Sequence, residues 1–316
     1  MSGAVLNAPP DCHGHAKGEH APYALERPVA YTPRMLFLWF FHAARRGGPR
    51  RMMVSDHLNY ACEQDAAAVG TFRETLRCAA RGRVRDAADL AGVTIAQATV
   101  VAEGLAGGMH FSIGAEMDDD PRSPPDAARI VAAMQPDGLI QSVHFLKIDH
   151  PEFGPAWDWP FDNPEFSAVY QTVGIEAAWD AYVAKLLSAI ETQPCHIAGH
   201  FHVPAKFGHW PRPSILEGYE DDFVATCARR GVAIELNTRF FYRHAHAEAR
   251  QRFVDAQLRL LKKAKAAGAK VAVSSDAHRP DDQGAAFDLA LRLLVEAGIR
   301  DVVFPAGGHL KRIPVE

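Results

Sequence analysis

This sequence has no excess of one charge, no paired cysteines, no long apolar run and no glycine-rich phosphate loop, and each absence narrows its function. Lysine and arginine number 34 against 38 aspartate and glutamate, for a formal net charge of -4. The basic residues are scattered apart from Arg45-Arg46 and Arg50-Arg51. Nothing in that distribution draws the chain to a phosphate backbone, so no nucleic-acid partner is expected. The five cysteines, Cys12, Cys62, Cys78, Cys195 and Cys227, are odd in number and form no C-x-x-C pair. They read as reduced thiols of a cytoplasmic protein rather than as a disulfide framework. The most apolar stretch, Met35 to Ala44, is about half as long as a membrane-spanning helix and reads as a buried helix. No basic region followed by an apolar run opens the chain, so no secretory signal is expected. With no Gly/Ser linker and no internal repeat, a single domain over residues 1–316 is expected.

What is present is a globular composition, 48% hydrophobic and 23% charged, with sixteen histidines. A buried ring nitrogen needs a partner, so the placement of those histidines is informative. Short apolar β-type runs begin at Arg51, His110, Leu139, Cys195, Val232 and Lys270. Between them lie helical patterns: Pro124 to Ala133, Ile175 to Glu191, His246 to Ala267 and Ala285 to Ala297. Thr71 to Ala102 reads as helix and loop, and Pro9-Pro10 leave the first strand, before Asp11, poorly marked. Strands alternating with helices imply βαβ units and a parallel sheet. The rhythm of one strand and one helix along the whole chain favours a barrel over a doubly wound sheet.

Candidate ligands sit at the ends of these runs. The N-terminal segment carries Asp11-Cys-His13-Gly-His15, and the next strands end in Ser55-Asp56-His57 and Gly114-Ala-Glu116. Later ends are Ser142-Val-His144, Gly199-His200 and Ser275-Asp276-Ala-His278. The carboxyl ends of a parallel barrel's strands share one mouth, where such folds place their chemistry. In an H-x-H pair on extended backbone both rings face one side, so His13 and His15 can share an ion, and Asp276 and His278 stand in the same relation. Imidazole and carboxylate donors without thiolate favour zinc, manganese or iron. Glu116 is suited to bridge two cations, which would lower the pKa of a shared water and stabilise displacement at phosphorus. A lone histidine is ordinarily a core or surface residue; six placements at successive strand ends are not explained that way.

The ordered set D-x-H-x-H (11–15), S-D-H (55–57), G-x-E (114–116), S-V-H-F-L (142–146), G-H-F (199–201), E-L-N-T (235–238) and S-D-A-H (275–278) resembles the polymerase-and-histidinol-phosphatase (PHP) superfamily. S-V-H-F-L, Phe161-Asp-Asn-Pro-Glu165 and E-L-N-T resemble its histidinol-phosphatase branch. The resemblance implies an α/β fold, a distorted seven-stranded (β/α) TIM-like barrel with a trinuclear site, and hydrolysis of a small phosphate monoester. It further implies that His13, His15, Glu116 and Asp276 hold one ion, His20, His57 and His278 a second, and Glu116, His144 and His200 a third. Asp276 or His202 would assist the leaving alkoxide. Two positions depart from the pattern. His20 follows His15 by five residues where six is usual, and His202 stands where this branch commonly has aspartate.

Arg239, Arg243, Lys206 and Arg279 follow strand ends or lie in mouth loops; each is either a phosphate contact or a solvated charge. Asp11, Asp56 and Asn237 neighbour ligand candidates and are placed to orient them. The aromatics Trp157, Trp159, Phe161 and Phe166 either wall a substrate pocket or anchor their own loop. The rival readings are a phosphodiesterase, exonuclease or other hydrolase on the same scaffold, and a non-catalytic metal-binding module.

Overall fold

The computed structural model describes residues 9–18, 29–243 and 246–315. Its strands are β1 (Arg51–Val54), β2 (His110–Met117), β3 (Gly138–Gln141), β4 (Phe145–His150), β5 (Gly154–Pro160), β6 (Ile197–Ala198), β7 (Ala233–Asn237), β8 (Lys270–Ser274), β9 (Asp301–Ala306) and β10 (His309–Pro314). The order β1-β2-β3-β6-β7-β8 forms one sheet, parallel throughout. All six runs expected from the sequence are in it. The sheet is a curled half-barrel of six strands rather than a closed seven-stranded one. Residues 11–15 run between its two edges, meeting them through isolated parallel bridges, Asp11 with Met52 and Gly14 with Ala277. The Asp11 amide donates to Arg51 (2.8 Å) and the Cys12 amide to Val273 (2.9 Å). Pro9 and Pro10 have no N–H to donate, so no regular ladder begins earlier.

The expected helices form, and their ends follow local chemistry. Helix Pro33–Arg46, which contains the apolar stretch, starts where the Thr32 hydroxyl accepts the Met35 amide and stops at Gly47, φ 65°; only glycine adopts that conformation readily. The segment read as helix and loop is three helices, Asp65–Ala80, Val84–Ala91 and Ile95–Ala106, which pack with Pro33–Arg46 into one apolar cluster. Two features have no counterpart in the sequence patterns. Helix Pro213–Arg230 carries a buried glutamate, Glu220, on its inner face, which breaks its apolar periodicity. The stretch after His144 is an antiparallel hairpin, β4 with β5, rather than a loop. Among the described residues no helix is long and apolar enough to cross a membrane.

The inside of the half-barrel is layered, because alternate residues of a strand face the same way. Cys12, Met53, Ile140, Ile197, Ala233 and Ala272 form one buried apolar cluster with Val303 and Phe304 of β9. Two residues further along the chain stand Ser55, Ser142, Glu235 and Ser274, which like Glu116 near the end of β2 are buried polar groups. The β9–β10 hairpin therefore plugs the amino end of the strands, and the interior turns polar toward their carboxyl ends. The plug leaves no room at β3: a Cβ on Gly138 would lie 2.4 Å from Pro305 Cβ and 2.9 Å from Met53 Sδ. Replacing Gly138 by alanine is expected to cost about 1–3 kcal/mol through overpacking, without changing metal content. Thermal denaturation with metal analysis of the same sample checks this.

Candidate metal centre

Glu116, at the end of β2, is the hub of the polar layer. Its Oε2 lies 2.9 Å from His57 Nδ1, 3.2 Å from His13 Nε2 and 3.6 Å from His15 Nε2. Its Oε1 lies 2.9 Å from His200 Nε2 and 3.5 Å from His144 Nε2. Asp276 Oδ1 is 3.3 Å from His15 Nε2, and the His278 ring lies 4.1 Å, centroid to centroid, from that of His15. The residues delivered by separate strand ends thus meet at one place, as the parallel topology requires.

Three subsets have donor atoms within 4.8 Å of one another: His13, His15 and Glu116; His57, Glu116 and His144; His15, His57 and His278. The donors fit hard or borderline divalent cations, being nitrogen and oxygen with no thiolate. His13 Nε2, both ring nitrogens of His15, Glu116 Oε2, Asp118 Oδ1 and His200 Nδ1 are buried with no hydrogen-bond partner. Orphans of that kind cost about 1–3 kcal/mol each, and a cation held among these donors would offset that cost.

The charges point the same way. Burial opposes ionisation of Glu116, but His57, His13 and His144 outweigh it and hold the carboxyl well below its usual range. Burial likewise pushes Asp118 up, and His144 and His57 bring it down to about 2. Burial pulls His13 down, and Glu116, Glu235 and Asp276 hold it well above the ordinary imidazole range. His57 and His144 are raised against burial, chiefly by Glu116. Burial lowers His15 and His278, with cationic neighbours adding to the effect. A knot of ionised carboxylates demands positive charge here, and protons on imidazoles supply it when no metal does; metal binding would displace them.

Surrounding groups hold the cluster in place. Asp11 accepts the Ser275 amide at 2.8 Å and the Gly284 amide at 3.0 Å, tying the N-terminal segment to the turn that carries Asp276. Burial, partly offset by those bonds, pushes the Asp11 carboxyl up to about 6. Asp56 accepts the Lys17 amide (3.0 Å) and the Tyr31 hydroxyl (2.6 Å), fixing the turn after His15. Asn237 donates to Asp276 Oδ2 at 3.2 Å and accepts the Arg239 amide at 2.9 Å. Arg239 Nη1 donates to the Asp276 carbonyl (2.7 Å) and to His278 Nδ1 (2.6 Å). Asp276 itself has φ 50°, a left-handed conformation that aspartate tolerates and that aims its carboxylate into the cluster.

No family model matches the chain. A probable histidinol-phosphatase of Deinococcus radiodurans is 29% identical over 210 residues, 66% of this chain and 74% of that protein. The crystal structure of histidinol phosphate phosphatase from Lactococcus lactis, complexed with zinc, L-histidinol and phosphate, matches with a TM-score of 0.61 at 17% identity. It covers 96% of this chain and 99% of that one. A structure from Listeria monocytogenes, assigned as a candidate histidinol phosphatase, has a TM-score of 0.53 at 14% identity over 89% of this chain and 98% of its own. At those identities, the two structures share the fold. It is an α/β fold of distorted TIM-like type.

Not every residue singled out in the sequence is at the cluster. His20 lies outside the described residues. His202 is a correction: fully buried, its Nε2 sits 3.1 Å from Glu220 Oε1 and its Nδ1 3.4 Å from Gln257 Nε2, in the core between helices Pro213–Arg230 and Ala247–Ala267. Two residues past His200 the chain has turned, and the ring points away from the mouth. Removing Glu220 would strand that imidazole and the partly buried Arg259, which donates to Glu220 Oε2 at 2.7 Å. Glu220→Ala is expected to cost about 3–5 kcal/mol. Burial raises the Glu220 carboxyl, but His202 and Arg259 outweigh it and hold it at about 2, below its ordinary 4.5. Its contribution is therefore present above pH 4.5 and lost as pH falls toward 2. Denaturant titrations across that window should show a smaller loss in Glu220→Gln than in the wild type, the remainder coming from the depressed carboxylates of the cluster.

Arg243 and Arg279 are exposed. Lys206 donates to the Asp162 carbonyl at 3.0 Å and faces its carboxylate at 3.4 Å. Trp159 and Phe161 are buried in the core. Trp157 stacks on Phe153 with ring centroids 4.1 Å apart, and Phe166 packs against both, so these aromatics anchor their own hairpin. Asp118 and Glu235 take roles here that the sequence patterns did not assign them. Asp118 stands two residues beyond Glu116, on the same face of an extended strand, and that spacing was a usable signal. Tyr31, which reaches Asp56 across 25 positions, left none.

Proposed function

We propose that the cluster around Glu116 is the active site of a metal-dependent hydrolase of small phosphate monoesters, of the histidinol-phosphatase type. The observation that carries this reading is the convergence of His13, His15, His57, His144 and His200 on one fully buried carboxylate. His13, His15, Glu116 and Asp276 would hold one ion, Glu116, His144 and His200 another, and His57 with His278 a third, with zinc, manganese or iron as candidates. Such ions, when bound, neutralise phosphate oxygens and acidify water. The chain's own groups set the rest. Arg239, held at Asp276 and His278, presents a guanidinium to the mouth, where a phosphate oxygen can meet it. Asp276 acts as an ionised carboxylate: burial raises it, but Arg239 and His13 outweigh that and hold it well below its usual range. It is therefore suited to ligate a cation and carries no proton to give to the leaving alkoxide, which leaves that proton to solvent. We place the protein in a reducing compartment, the cytoplasm, because none of its five cysteines is in a disulfide.

The test is metal analysis of purified protein coupled to phosphate release from a panel of esters. Near three ions per chain, with L-histidinol phosphate hydrolysed best, would support the full reading. Preference for another monoester would keep the chemistry and remove the histidinol assignment. Faster cleavage of bis(p-nitrophenyl) phosphate would make it a diesterase, and metal without turnover a binding module.

A further inference from the structure

Strand β7 contributes no imidazole to the cluster, yet its Glu235 is fully buried beside it. Glu235 Oε1 lies 2.8 Å from His13 Nδ1. Its Oε2 accepts the backbone amide of His200 and, at 3.3 Å, the Asn237 amide. Both oxygens are thus committed to neighbouring residues. On the far side of Glu116, the buried carboxylate of Asp118 makes the same kind of contact, with Oδ2 2.8 Å from His144 Nδ1. At 2.8 Å each imidazole Nδ1 is placed to donate a proton to its carboxylate, which sets the tautomer. That leaves the Nε2 lone pairs aimed inward. His13 Nε2 faces Glu116 Oε2 at 3.2 Å and has no hydrogen-bond partner, while His144 Nε2 faces Glu116 Oε1 at 3.5 Å. An acceptor facing an acceptor is repulsive unless a proton or a metal cation joins them.

We propose that Glu235 and Asp118 are positioning residues that fix the tautomer and ring plane of His13 and His144, so that each presents Nε2 to a divalent cation. This rests on the metal-site reading above. Carboxylates behind ligand imidazoles typically strengthen metal binding about 10- to 100-fold. Each residue also reaches beyond its own ring: Glu235 ties His13 to the backbone of His200, and Asp118 Oδ2 lies 3.5 Å from His57 Nδ1.

The experiment uses the full chain with ¹⁵N-labelled histidine, loaded with zinc alone, and long-range proton–nitrogen correlations to read each ring. Zinc on Nε2 and a proton on Nδ1 are expected for both His13 and His144. Glu235→Gln and Asp118→Asn keep the volume but remove the charge, and their amides can turn an NH₂ toward the ring. Each is expected to mix the tautomers of its own histidine and to weaken zinc about 10- to 100-fold in competition with a chelator. Zinc on Nδ1 of either ring, or variants that bind as tightly as wild type with unchanged tautomers, would overturn the inference while leaving the metal site standing. A lower melting temperature with unaltered tautomers would make both residues merely structural, which also overturns it. A wild type that takes up no zinc would overturn the metal-site reading, and this inference with it.

Discussion

Glu116→Gln is expected to strip the protein of most of its metal and to lower kcat/KM on phosphate monoesters by about a thousandfold or more. The side chain is shared by five imidazoles and fully buried, so the amide removes the negative charge that two of the three donor subsets have in common. It also puts an NH₂ where a ligand oxygen should be. A thousandfold corresponds to about 4 kcal/mol of transition-state stabilisation, a modest share of what bound cations contribute at phosphorus. The burial makes the effect steep: in a water-poor site no solvent oxygen replaces the lost ligand at equal strength. Metal content and kcat/KM should fall together, while the far-ultraviolet circular dichroism spectrum stays unchanged. Retention of both metal and activity would sink the proposed site.

Arg239→Ala should lower kcat/KM by roughly 10- to 150-fold, the loss of one charge-assisted hydrogen bond worth about 1.5–3 kcal/mol. The guanidinium holds the Asp276 carbonyl and His278 Nδ1, and it is the first of the charges that depress Asp276. Two roles are separable. A group that meets phosphate would raise KM and weaken competitive inhibition by inorganic phosphate, with metal content intact. A group that only props His278 would lose metal and leave phosphate inhibition of the remaining loaded enzyme unchanged. Arg239→Lys keeps the charge without the planar fork, and partial recovery of phosphate inhibition in that variant would support direct contact.

The sequence by itself determined the parallel α/β architecture and most of the cluster. The six β-type runs and the helices between them are local patterns of period 2 and 3.6, and local patterns survive in one dimension. The parallel topology then carries strand-end residues to one mouth, and that is why His13, His15, Glu116, His144, His200 and Asp276 can be grouped from their positions along the chain alone. Three things were decided only in three dimensions. Whether the sheet closes depends on hydrogen bonds between residues far apart in the chain, and residues 11–15 meet both edges through isolated bridges rather than a regular ladder. The direction of a side chain after a turn is not periodic, so His202, two residues past a cluster histidine, faces Glu220 in the core. Glu235 behind His13, and Tyr31 behind Asp56, act through contacts that sequence spacing does not encode. Ligand types follow from local chemistry at strand ends, whereas their orientation follows from packing across the whole barrel.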